Sequence, residues 1–343
     1  MQAVYVIDIV EVAAVARSSV EPEGRSAGGV EIRHLDLAAA GYLDGSSRGG
    51  DAARTAGGDL VGIQRHCAGR KTWPLRGVLL QCASCSYQSS ITAGTIFQDT
   101  RKPLSLWFRA AWWVTSQKTG VSAMGLQRVL GLRSYKTAWT WLHKLRRAMV
   151  RPGRARLAGR VEVDETHLGG LEEGVRGRQT EGKALIVVAA PEDGPGIGRI
   201  RKRRIADASA DSLMPFVQDS VEAGSVVHTD GWLDYLPLEG KGYEHEVTFL
   251  RGNKKTPSEL MPRVYQVISL LKRWLMGTHQ GAVSPQHLDY YLDEFTFRFN
   301  RRKSRSRGKL FFRLLQQAVA IDPVPYKSMV KCYATAVSPN HKI

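Results

Sequence analysis

The chain has 343 residues, enough for one large buried core with one or two smaller modules, which excludes a miniprotein held together by staples. Lys and Arg number 49 against 32 Asp and Glu, a formal charge of +17, and a positive field of that size attracts polyanions. Four cysteines, at 67, 82, 85 and 332, make no secretory disulfide framework, so a reducing interior is expected.

Residues 1–16 are apolar but carry Asp8 and Glu11 and lack a basic start. Neither a signal peptide nor a membrane span fits, and a cytoplasmic protein working on the nucleoid is expected. Residues 1–60 hold nine acids and five bases, which leaves +21 on the remainder. Within them, 17–59 are rich in Gly, Ser, Ala and Asp without a sustained period and read as loop or disorder, a segment unlike the rest of the chain.

Residues 61–97 carry Cys67, Trp73 and the pair Cys82-Ala-Ser-Cys85, spaced as in a zinc ribbon. Such ribbons use two Cys pairs, and Gln64 stands where the first partner is expected. Zn²⁺ would therefore rest on Cys67, Cys82 and Cys85 and need a fourth ligand; the adjacent His66 is poorly disposed to supply it.

Residues 98–155 are almost wholly helical in pattern. A short helix opening at Ser122 leads through Gly131 into a second that opens at Ser134 and is basic and aromatic. This predicts a helix-turn-helix whose second helix enters a major groove, with Lys136, Arg146 and Arg147 as DNA contacts. The alternative is a helical hairpin with Trp139, Trp141 and Leu142 as ordinary core.

From residue 156 the pattern changes. Val161 and Val163 alternate with Glu162 and Asp164, 184–190 is a continuous apolar run, and 198–205 is a basic strand candidate. A helix at 212–221, strands at 225–229 and 246–250, a helix at 259–276 and another opening at Ser284-Pro285 come next. Three strands, a helix, a strand, a connection, a strand and a closing helix is the order of a ribonuclease H-like fold, an α/β architecture in which helices flank a mixed sheet. That domain is expected over 156–305, with a basic C-terminal tail at 306–343. In this topology the strands bearing Asp164 and Asp230 are neighbours and their carboxylates meet at one sheet edge. Such hard oxygen donors suit Mg²⁺ or Mn²⁺, and a phosphodiester is the substrate that two such ions would serve.

The strings Val161-Glu-Val-Asp-Glu-Thr-His-Leu-Gly-Gly170 and Gly224-Ser-Val-Val-His-Thr-Asp-Gly-Trp-Leu-Asp-Tyr235 carry a resemblance. So do Ser269-Leu-Leu-Lys-Arg273, the stretch 277–302, Thr92-Ala-Gly-Thr-Ile-Phe97 and Thr115-Ser-Gln-Lys-Thr-Gly-Val-Ser122. Together they resemble the zinc-ribbon-bearing, ISXO-type group of DDE insertion-sequence transposases, from about residue 67 to 326. The resemblance implies a DNA transposase that binds the terminal repeats of its element as double-stranded DNA, cleaves there with divalent metal and joins the freed 3′ ends to target DNA, at least as a homodimer. Asp164 and Asp230 would be the first two catalytic acids and Lys272 the basic residue seven positions after the third.

That third position holds Tyr265, a poor ligand for Mg²⁺ at neutral pH. Glu259 lies about 240° away around a continuous helix. Glu294 is the better substitute, on one helical stripe with Arg298 and Arg301, which are read as further DNA contacts; the alternative is an intrahelical ion pair. His228, on the strand before Asp230, is read as a core or substrate-contacting histidine, and the basic runs 199–204 and 298–309 as phosphate contacts or solvated surface. The rival to an active enzyme is an impaired transposase remnant that only binds DNA.

Overall fold

A computed structural model describes residues 72–75, 79–90, 92–151, 153–169, 183–250, 252–281 and 283–330. The readings placed on residues 1–60 and on Cys67 lie outside these. The chain divides into two compact units, Met1–Met149 with Ser304–Lys331, and Val150–Lys303 with Cys332–Ile343.

In the first unit, strands β1 (Thr72–Pro74), β2 (Leu79–Cys82) and β3 (Gln88–Ser90) form an antiparallel meander. Cys82 is buried and Cys85 exposed in the β2–β3 turn, with the Ser84 N–H on Cys82 Sγ at 3.4 Å. Helices α1 (Leu104–Ser116), α2 (Ala123–Leu130) and α3 (Tyr135–Arg147) come after the meander. Ser122 caps α2 by accepting from the Gly125 N–H at 3.0 Å. Gly131 ends it at φ +62°, a left-handed conformation that turns the chain into α3. Trp107 of α1 stacks on Trp141 of α3 at 3.9 Å between ring centroids, so Trp141 is core, as are Leu142 and Leu145.

The expected C-terminal tail is in part a helix, α8 (Arg307–Ala318), capped by Ser306. Its basic residues alternate with Leu310, Phe311, Leu314 and Leu315, whose spacing makes one apolar stripe. Phe311 meets Trp112 of α1 edge-on at 5.7 Å, and the stripe is buried. A short helix, α9 (Tyr326–Val330), lies beyond it in the chain.

The second unit is built on a six-stranded sheet: β4 (Arg160–Leu168), β5 (Ala184–Asp193), β6 (Gly196–Ile197), β7 (Arg201–Ile205), β8 (Val226–Thr229) and β9 (Glu244–Val247). Its order is β6-β5-β4-β8-β9 with β7 also on β5; β4 pairs antiparallel with β5 and parallel with β8, and β8 parallel with β9. This is the mixed sheet expected of a ribonuclease H-like domain. One face takes Val161, Val163, Val187 and Ala189 against α4 (Ala210–Ser220) and the turn Leu233–Lys241. The other takes Ile186, Val188 and Ala190 against α6 (Pro262–His279) and α7 (Leu288–Asn300). Covered on both sides, β5 reads as a continuous apolar run rather than an alternating one.

Among the boundaries that differ from expectation, two bear on the site. The predicted helix 259–276 is divided into α5 (Pro257–Leu260) and α6 because Pro262 lacks an N–H and occupies the first turn of α6. Strand β9 begins two residues early, at Glu244, where the Glu244 N–H bonds the Ser225 carbonyl at 3.1 Å.

Candidate active site

The parallel register of β4 and β8 pairs Glu162 with His228, and Asp164 and Asp230, each two residues further along its chain, both act by their charge on Tyr265 and on Tyr235. Alternation sends Glu162, Asp164, His228 and Asp230 to the sheet face that carries α6. Asp164 is buried within β4. Asp230 comes just after β8, where the chain leaves the ladder and the Trp232 N–H donates to its Oδ1 at 3.1 Å. Tyr265, in the second turn of α6, donates its hydroxyl to the Asp164 carboxylate. Burial, then the negative charges of Asp164 and Asp230, hold this phenol well above its ordinary pKa, so it stays protonated. The two expected acids and the residue at the expected third position therefore share one site. On the opposite face of β4, Glu165 stands against the buried Tyr235 hydroxyl, whose pKa is raised by burial and then by the charge of Glu165.

Alpha6 is held over Asp164 by a residue that no motif singled out. Glu162 is fully buried and accepts from the Arg263 N–H at 2.8 Å and the Val264 N–H at 2.9 Å. These are two of the unpaired donors at the start of α6, so a strand carboxylate caps the helix from outside it. Arg263 Nη1 completes the contact at 3.1 Å from Glu162 and reaches Glu192 at 2.8 Å. Arg160 extends the network: it makes a two-point bond to Glu246 at 2.7 and 2.6 Å, one to Glu192 at 2.7 Å, and one to His228 Nδ1 at 2.9 Å. Next to a cation, His228 is neutral with Nδ1 accepting, and its Nε2–H donates to Thr248 Oγ1 at 2.7 Å. Burial and then Arg160 lower its pKa. Of the two readings of His228, core or substrate-contacting, its burial and its two side-chain bonds fit the first. The available signal for Glu162 was the alternation that placed it beside Asp164; nothing local named its partner.

The remaining predicted residues divide. Lys272 is exposed two turns after Tyr265 on α6. Glu294 is buried on α7 and bonded by Arg298 at 2.6 and 2.9 Å, the intrahelical pair, and no trio of His, Cys, Asp or Glu forms a metal-holding group among the described residues. Glu259 sits in a capping box with Thr256 on α5. Of the expected DNA contacts, Lys136 is exposed and Arg147 half-buried, but Arg146 is 2% exposed, because the last turn of α3 packs inward with Leu142 and Leu145. Arg146 is thus withdrawn from any groove. Arg301 lies over the Phe297 ring at 4.2 Å. The basic strand β7 divides: Arg201 is buried and donates to the Ala155 carbonyl, Lys202 carries its Nζ over the Phe295 ring at 4.5 Å, and the half-exposed Arg203 and Arg204 pair with Asp219 and Asp289.

No helix among the described residues is long and apolar enough to cross a membrane. Residues 156–300 match the family model of the ISXO2-like transposase domain. An uncharacterized protein in transposable element ISH50 of Halobacterium salinarum (strain ATCC 700922 / JCM 11081 / NRC-1) is 26% identical over 245 residues, covering 66% of this chain and 80% of that protein. Over residues 156–300, where a mixed sheet carries Asp164 on one strand and Asp230 just past the end of its parallel neighbour, this chain is thus similar to the ISXO2-like transposase domain family.

Proposed function

We propose that this protein is an insertion-sequence transposase that cuts DNA at the ends of its element and joins the freed 3′ ends to a target. The observation that carries this is the convergence of Asp164 and Asp230 within a transposase domain. Two converging carboxylates suit one Mg²⁺ or Mn²⁺, which commonly binds through one or two carboxylates with water and phosphate oxygens completing its shell. They fit a second ion less well, because Tyr265 offers a protonated hydroxyl where a third carboxylate would complete the set. When bound, the divalent ion would polarise the phosphodiester and stabilise the departing 3′ oxygen. Asp164 and Asp230 would hold it, Glu162 fixes α6 above them, and Lys272, exposed on that helix, would pair with a DNA phosphate. Cleavage breaks one P–O bond by attack of water; joining breaks another by attack of the 3′-hydroxyl, so the two steps are the same in-line exchange.

Exposed Lys136 at the start of α3 supports reading of end DNA by the helical module, and handling two ends at once calls for at least a dimer. Tyr265 favours a second reading, a transposase that retains DNA binding and has lost efficient cutting. Nicking and strand-transfer assays on end-sequence DNA with Mg²⁺ or Mn²⁺ decide between them. Wild type is expected to nick, with Asp164→Asn and Asp230→Asn reduced to background while binding DNA undiminished. Equal inertness of all three proteins, with binding intact, would establish the second reading.

A further inference from the structure

Next to Asp230 the surface changes character. Phe249 is 69% exposed and Leu233 71%, and Val247, Trp232 and Leu236 also present apolar surface to water. Beta8 and β9 pair Thr229 with Val247, and continuing that register sets Phe249 beside Gly231, the residue after Asp230. Gly231 has φ +81°, and a Cβ there would lie 2.9 Å from Val247 and 3.0 Å from the Phe249 ring. A side chain is excluded both by the backbone and by space, so the two apolar residues close directly onto the backbone that carries Asp230. Trp232, the residue after Gly231, adds a part-exposed indole whose N–H is anchored on the Ala208 carbonyl at 2.9 Å. Beyond Phe249 the chain runs on to the exposed Lys254 and Lys255.

We propose that this shelf, centred on Phe249, takes an unpaired base of the DNA strand whose phosphate is cut at Asp164 and Asp230. The inference rests on the transposase reading. Bases inside a duplex keep their faces stacked on one another, so only a base released from its pair can offer a flat apolar surface to Phe249. A shelf of aromatic and aliphatic side chains followed in the chain by two exposed lysines matches that ligand, since stacking would hold the base while ammonium groups meet its phosphates. A purely apolar protein partner would leave the lysines and the neighbouring carboxylates unmatched. Splaying the end in this way would also expose the scissile phosphate to the buried Asp164.

The test measures DNA binding by the full-length chain in an Asp164→Asn background, so that no strand is cut. Three duplexes of one arbitrary sequence are compared: fully paired at the end, splayed at the end, and splayed with abasic sites in place of the unpaired bases. Wild type at position 249 should prefer the splayed end. Phe249→Ala should weaken that complex about tenfold, the scale of one base stacked on an aromatic ring, with little effect on the paired end. Phe249→Trp should keep the preference, and the abasic duplex should erase the difference between Phe and Ala. No preference for the splayed end, or an equal loss on all three duplexes, would overturn the proposal while leaving the transposase reading standing. So would loss of self-association in Phe249→Ala, which would assign the shelf to a second copy of the chain. Failure to bind any of the three duplexes would remove both.

Discussion

At residue 265 a phenol stands where a carboxylate would complete a metal site, and its surroundings decide what it can do. Burial and the charges of Asp164 and Asp230 keep the proton on, so Tyr265 donates to Asp164 rather than competing for a cation. Tyr265→Glu is expected to raise both Mn²⁺ affinity, read by titration calorimetry, and metal-dependent nicking; Tyr265→Phe should raise neither. If Tyr265→Glu folds and gains no affinity, the third position is not a vacant ligand site. His228 sets a pH limit. Its folded pKa is lowered, so the unfolded chain takes up a proton first, and stability present above pH 6.5 is lost as pH falls below it. His245, lowered by burial, acts in the same direction. His228→Gln, which can still accept from Arg160 and donate to Thr248, should flatten the fall of the denaturation midpoint below pH 6.5. An unchanged slope would assign the effect to other groups.

Among the elements, α6 carries the most consequence, because its placement brings Tyr265 to the aspartates. Val264, Val267, Ile268, Leu271 and Leu275 bury one stripe against the sheet, each contributing about 1.5–3 kcal/mol. That stripe fixes which face is inward but allows sliding along the axis. The Glu162 bonds to the first N–H groups remove that freedom. Glu162→Ala should cost about 3 kcal/mol, seen as a lower urea midpoint with unchanged slope, because two helix donors lose their acceptor and Arg263 keeps only Glu192. Glu162→Gln should cost less, since its side-chain oxygen still accepts. A midpoint shift of only a few tenths of a kcal/mol for Glu162→Ala would mean that the stripe alone positions α6. Alpha3 teaches the converse lesson: its C-terminal Arg146 looks like a DNA contact in sequence and is core in the fold, whereas Lys136 at its start remains open.

For the whole molecule, the +17 charge predicts that DNA binding weakens steeply with salt, with log affinity linear in log salt concentration and a slope near −0.9 for each phosphate neutralised. Lys136→Ala should reduce that slope by about one unit if the residue meets a phosphate; an unchanged slope would place the helical module off the DNA backbone. Much of the second unit was legible beforehand. Strand alternation in β4 and the apolar run of β5 each follow from short-range pattern, and the neighbouring of the strands that lead to Asp164 and Asp230 follows from the expected topology. Less legible were the fate of β7, whose five residues include four that are basic and whose named contacts lie inside its own unit, and the helix formed by the supposed tail. Charge along a strand does not reveal which acids lie opposite it. The sequence by itself determined the mixed α/β order, because that depends on periodicity, while the two aspartates and residue 265 were singled out by the resemblance to the transposase group. Only the tertiary structure decided that Glu162 anchors α6, that Arg146 is enclosed and that Phe249 stands bare beside Asp230, since burial and pairing are set by neighbours distant along the chain.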